Sequence, residues 1–216
     1  YDRMALVKLS RLPHVRRVCI QTNLSAPLGD LEEACARTLT LWATYHPGEV
    51  TRARFLARCR QLQAMGLRFS VGIVGTREHL DEMEALRAEL SPEVYLWVNA
   101  YKRVDGYYAE QDLRRIRAVD PHFDLNASRY PSAGQDCRAG ESHFTVDGQG
   151  DVRRCHFVGE VLTNLYTGDL QSALRPRLCP LESCGCYIGY IHLPHLGLDG
   201  LYGDDLLGRI PRVWPG

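Results

Sequence analysis

Leu39-Thr40-Leu41-Trp42-Ala43-Thr44-Tyr45, then residues 51–66, then Leu67-Arg68-Phe69-Ser70-Val71-Gly72-Ile73-Val74 read as one strand–helix–strand unit, and this unit decides the fold. In the middle piece Phe55, Leu56, Cys59, Leu62 and Met65 recur at three- and four-residue spacing, which is one face of a helix, and Gly66 stops it. The same grammar runs outward in both directions. Upstream, Val15-Arg16-Arg17-Val18-Cys19-Ile20-Gln21-Thr22 reads as a strand; downstream, Val94-Tyr95-Leu96-Trp97-Val98 reads as another. Residues 79–90 and 109–119 carry helical periodicity. Repeated units of this kind predict an α/β fold with a parallel sheet, open or closed into a barrel.

Ligands in such folds collect at the C-terminal ends of the strands. Here those ends are polar: Thr22 and Asn23; Thr44, Tyr45 and His46; the run from Gly72 to Glu78; and Asn99 with Tyr101 and Lys102. Each alone reads as a loop cap. Four in succession on one rim point to a pocket.

The charge balance excludes a global attraction to nucleic acid or a membrane surface, because Lys plus Arg and Asp plus Glu are 26 each. No apolar run approaches the roughly 18 residues needed to cross a bilayer. An apolar fraction of 45 % over 216 residues suffices for one large or two modest cores. The expected setting is a reducing cytoplasm, since disulfides are a feature of short secreted chains.

Residues 131–216 change character and are richer in Gly, Pro and Cys. A hairpin is expected, from His143-Phe144-Thr145-Val146 through the turn Asp147-Gly148-Gln149-Gly150 to Asp151-Val152-Arg153-Arg154-Cys155. After it the helical pattern is weak, apart from a short turn near 170–174. The boundary falls near Tyr130-Pro131, giving domains 1–130 and 131–216.

Five of the eight cysteines lie in this second segment: Cys137, Cys155, Cys179, Cys184 and Cys186. Thiolates gathered in this way bind zinc or an iron–sulfur cluster, and either needs four ligands. Five cysteines therefore supply one site and one spare. Cys137 and Cys155 are expected ligands; two of Cys179, Cys184 and Cys186 complete the set, with Cys179 and Cys184 favoured. His156, His192 and His195 are possible substitutes in a zinc site. Cys19, Cys35 and Cys59 read as small hydrophobes of the core.

On these residues the chain resembles radical S-adenosylmethionine (radical SAM) enzymes that carry a C-terminal auxiliary-cluster domain of the SPASM or twitch type. Cys137, Gly150 and Cys155 match the family's auxiliary motif of Cys, a gap, Gly, four residues and Cys, and Cys137-Arg138-Ala139-Gly140 is similar to its opening. Ile73-Val74-Gly75-Thr76-Arg77-Glu78 is similar to the adenine-contacting element, and Gln21-Thr22-Asn23 to the polar end of the third barrel strand. Tyr45-His46-Pro47 and Cys184-Gly185-Cys186-Tyr187-Ile188-Gly189-Tyr190 resemble one subgroup. The resemblance spans nearly the whole chain.

It implies a partial (β/α) barrel over 1–130 and a small Cys-rich α+β auxiliary-cluster domain over 131–216. The cofactors implied are one auxiliary [4Fe–4S] cluster, on Cys137, Cys155 and two of Cys179, Cys184 and Cys186, and S-adenosyl-L-methionine. Thr22, Asn23, His46, Ile73, Gly75, Glu78 and Asn99 would line the S-adenosylmethionine end of the barrel. The intact enzyme would form a 5′-deoxyadenosyl radical that abstracts hydrogen from a small-molecule or peptide substrate. Its electron donor would be a flavodoxin or ferredoxin, and the auxiliary cluster would relay an electron. The chain departs from the family in having no Cys-x3-Cys-x2-Cys, the catalytic-cluster motif. Two strand–helix units are accordingly expected to be missing at the front, and no S-adenosylmethionine cleavage is expected of this chain alone. The other reading is a non-catalytic binding module stabilised by zinc or an iron–sulfur cluster.

Overall fold

The computed structural model describes residues 3–214. The chain forms two compact units, one running to Ala127 and resuming at Leu201, the other Ser128–Gly200. The first unit comprises α1 (Arg3–Ser10), β1 (Val18–Thr22), β2 (Leu39–Tyr45), α2 (Arg52–Ala64), β3 (Arg68–Val74), α3 (Leu80–Glu89), β4 (Leu96–Asn99), α4 (Glu110–Val119) and α5 (Phe123–Ala127). Its strands make a four-stranded sheet in the order β1-β2-β3-β4, every pair parallel. Among the described residues this sheet is open.

Alternation along the strands sorts the residues between the two faces. Ile20, Leu41 and Phe69 stand in one register row across the sheet, and Ala43, Val71 and Leu96 in another. They pack with Phe55, Leu56, Cys59 and Leu62 of α2, Leu80, Met83 and Leu86 of α3, and Ile116 of α4. Thr51 caps α2 by accepting the Arg54 amide, and Gly66 takes a left-handed φ of 69° after it.

Parallel sheets are normally covered on both faces. The second face here carries Thr40, Trp42, Thr44, Ser70, Gly72 and Trp97, and the returning C-terminal segment lies on it. Ser70 donates its hydroxyl to the Gly208 carbonyl at 2.7 Å, and Arg68 pairs with Asp205. The Arg209 guanidinium lies 3.3 Å from the Trp42 ring centroid and 3.9 Å from that of Trp97. The two indoles meet edge to face at 5.2 Å. Residues 201–214 therefore belong with the sheet, not with the Cys-rich segment where the sequence places them.

Gly72 makes this arrangement possible, because a Cβ built on it would overlap the Trp97 ring. Gly72→Ala is expected to cost about 1–3 kcal/mol by overpacking. The urea midpoint reads this directly, and an unchanged midpoint would mean that Trp97 has room to move.

The second unit contains β5 (Tyr130–Pro131), β6 (Asp136–Cys137), β7 (Thr145–Val146), β8 (Asp151–Arg153), β9 (Val161–Asn164), α6 (Leu170–Ala173), β10 (Arg177–Leu178), β11 (Ser183–Cys184) and α7 (Tyr187–Tyr190). The expected hairpin is present as β7–β8, and β9 extends it to three antiparallel strands. Asp147 organises its turn: its carboxylate accepts the amides of Gln149 and Asp151 at 3.0 Å and pairs with Arg153 at 2.6 Å. Gly150 is the left-handed residue, at φ 86°, and a Cβ there would meet the Tyr166 ring. Two further two-stranded ladders tie β10 to β6 and β11 to β5.

Candidate functional site

The short ladders of the second unit bring the cysteines together. Arg177 of β10 is in register with Cys137 of β6. Cys179, just past β10, donates its amide to Gln135 and accepts the Gly134 amide, both at 2.9 Å. Cys184 of β11 is in register with Tyr130 of β5. Cys155 follows β8, and its sulfur accepts the Phe157 amide at 3.3 Å.

Cys184 is the centre of the group. Burial pushes its thiol up to about 11, and charge on Cys179, Cys155 and Cys137 pushes in the same direction; the Cys186 amide, donating to the sulfur, opposes this. Three other thiols therefore lie within electrostatic reach of Cys184. Gly189 lets α7 come close, since a Cβ there would stand 2.7 Å from the Cys184 sulfur and 3.1 Å from the Phe157 ring. Cys179 and Cys184 are buried, Cys137 and Cys155 half-buried, and Cys186 exposed. Cys186 thus gives Cys184 a backbone donor, while its own thiol faces outward.

Among the described residues, no three His, Cys, Asp or Glu side chains approach closely enough to hold one metal ion. A tetrahedral zinc site would draw its sulfurs to about 3.8 Å of one another, from Zn–S bonds of about 2.3 Å. A multi-iron cluster separates its ligand thiolates more widely, because each binds a different iron. Cys155 and Cys184 each receive a backbone N–H group.

Two of the three candidate histidines, His156 and His195, are exposed. His192 stacks on His143 with centroids 4.4 Å apart. Burial first, then the neighbouring His143 and Arg138, holds His192 down at about 4. His143 is lowered by burial and by Arg138, against the opposing pull of Asp199, which pairs with Arg138 at 2.7 Å. A base whose pKa falls on folding binds fewer protons when folded. The second unit is therefore expected to lose stability as pH falls from about 6.5 to about 4, by at most about 1.4 kcal/mol per pH unit from His192. Thermal unfolding across that range checks this, and His192→Phe should flatten the dependence.

Cys59 is fully buried in the helix-facing core, with its thiol pushed up to about 12 by burial. Cys19 and Cys35 are half-buried, and the Cys19 thiol contacts the Leu207 carbonyl at 3.3 Å.

The residues at the strand ends have diverse surroundings. The Thr22 hydroxyl accepts the Leu24 amide, and the Asn23 side chain accepts the Ser25 amide, so both cap loops. Asn23 also lines a cavity of about 450 Å³ together with Thr44, His46, Glu49, Arg54 and Arg58. Ile73 is fully buried in the core. Gly75 donates to the Asn99 carbonyl at 2.9 Å and accepts the Tyr108 hydroxyl at 2.7 Å. Glu78 lies in a short 3-10 turn, its carboxyl held below the usual range chiefly by its own backbone amide. Of the seven residues, Asn23 and His46 line this cavity. Thr44, Arg54 and Arg58 of the cavity stand outside that set.

Compared with known proteins, the chain matches no family model, no curated protein and no solved structure. No helix among the described residues is long and apolar enough to cross a membrane.

Proposed function

We propose that the chain is a cluster-carrying part of a radical S-adenosylmethionine enzyme, with Cys137, Cys155, Cys179 and Cys184 holding one auxiliary [4Fe–4S] cluster. What supports the reading is that Cys137, Cys155 and Cys179 lie within electrostatic reach of Cys184, together with the sequence resemblance. The S-adenosylmethionine assignment rests on the sequence resemblance. With a cluster bound, the site supplies one-electron chemistry.

The chain's own residues have definable tasks there. The Phe157 and Cys186 amides donate to the sulfurs of Cys155 and Cys184, which would disperse the charge a bound cluster places on them. Gly189 brings α7 close to the Cys184 sulfur and the Phe157 ring. In the intact enzyme the substrate is a small molecule or a peptide, and electrons come from a flavodoxin or ferredoxin.

The test is anaerobic reconstitution of the chain with iron and sulfide. About four irons per chain with a broad thiolate-to-iron absorption band is the expected result. One tightly held zinc with no iron uptake would instead mean a structural zinc module without radical chemistry.

A further inference from the structure

We propose that the cavity between the ends of β1 and β2 and the first turns of α2 binds the anionic group, a phosphate or a carboxylate, of a small molecule. Its volume of about 450 Å³ is in the range of small-molecule sites. Arg54 and Arg58 line it from one helix face, four residues apart, and neither has a carboxylate partner among the described residues. Arg52 on the same helix differs in kind, being spent on Glu82 at 2.6 Å and Glu89 at 2.8 Å. Glu49 also lines the cavity, so the ionised lining carries a net positive charge before His46 is counted.

A second observation is independent of these charges. Thr44 lines the cavity and is only 7 % exposed, yet its hydroxyl has no hydrogen-bond partner. A buried hydroxyl left unpaired is costly, and a ligand oxygen would satisfy it. Asn23, Ser25 and His46 add polar groups around the same space. The N-terminal end of α2, a helix of 13 residues, favours negative charge nearby. Guanidinium groups in pairs suit the oxygens of phosphate and carboxylate.

The inference is independent of the cluster and can be tested on the chain with or without iron. Titration calorimetry with inorganic phosphate and, separately, succinate reads the two sources of such a group. Binding of phosphate alone assigns a phosphate ester; binding of succinate alone assigns a carboxylate. In either case Arg54→Gln with Arg58→Gln is expected to weaken binding by at least about tenfold, and Thr44→Val by a smaller factor. Both arginines are on the helix surface, so the double variant should fold, which circular dichroism checks. No binding of either anion, or binding unchanged in the folded double variant, overturns the proposal.

Discussion

Replacing Cys184 by serine is expected to lower the iron bound after anaerobic reconstitution from about four to below about one per chain, whereas Cys186→Ser should leave it near about four. The two residues are separated only by Gly185, so the contrast arises from where the structure puts their sulfurs. Cys184 is buried, lies within electrostatic reach of Cys137, Cys155 and Cys179, and receives the Cys186 amide. The Cys186 side chain is exposed. Changing Cys186 to serine keeps the backbone donor and removes only the outward thiol. Metal analysis and the visible spectrum read both variants. Should Cys186→Ser empty the site while Cys184→Ser does not, the ligand set becomes Cys137, Cys155, Cys179 and Cys186. The effect should extend to stability, because β5, β6, β10 and β11 are two-residue ladders with little apolar core of their own.

What the sequence revealed follows from the range of the forces involved. The strand at 39–45 and the helices near 52–64 and 80–89 are set by local periodicity and caps, and they form where that periodicity puts them. The first strand begins at Val18, later than the apolar pattern suggested, because Val15 still donates to the Leu12 carbonyl in the turn after α1. The strand β9 gives a signal of only four residues and depends on pairing with β8. The route of residues 201–214 was hidden altogether. No period marks it, and its position is fixed by Ser70, Arg68 and the two indoles around Arg209, all distant in sequence.

The site divides in the same way. Cysteine spacing marked the group, but burial and backbone donation, which separate Cys184 from Cys186, are tertiary properties. The rim of polar strand ends was visible, and Thr44 and His46 were in it. Arg54 and Arg58 were not distinguishable from a solvated basic face, because only the fold shows which arginines lack a carboxylate.

Asp120→Ala is expected to destabilise the first unit by about 3–5 kcal/mol, a large part of a total stability of about 5–15 kcal/mol. Asp120 is 2 % exposed and follows α4. Its carboxylate takes the Tyr95 hydroxyl, the Val98 amide at 2.7 Å and the His122 amide at 3.0 Å. Alanine would remove the acceptor that these three donors share, and those of Tyr95 and Val98 are buried. Asp120→Asn keeps the shape and one acceptor oxygen, so its cost should be smaller, about 1–2 kcal/mol. Urea unfolding followed by circular dichroism distinguishes the two. Equal losses would mean that the charge of Asp120, and not its acceptor oxygens, holds β4. The consequence reaches the rim as well. Next to Asn99, Ala100 donates to the Asn126 side chain at 2.7 Å, so the amides of Val98 and Ala100 at the C-terminal end of β4 are both held by side chains from the α4–α5 region. Loss of Asp120 should therefore raise amide exchange at Val98 while leaving Ala43 of β2 protected.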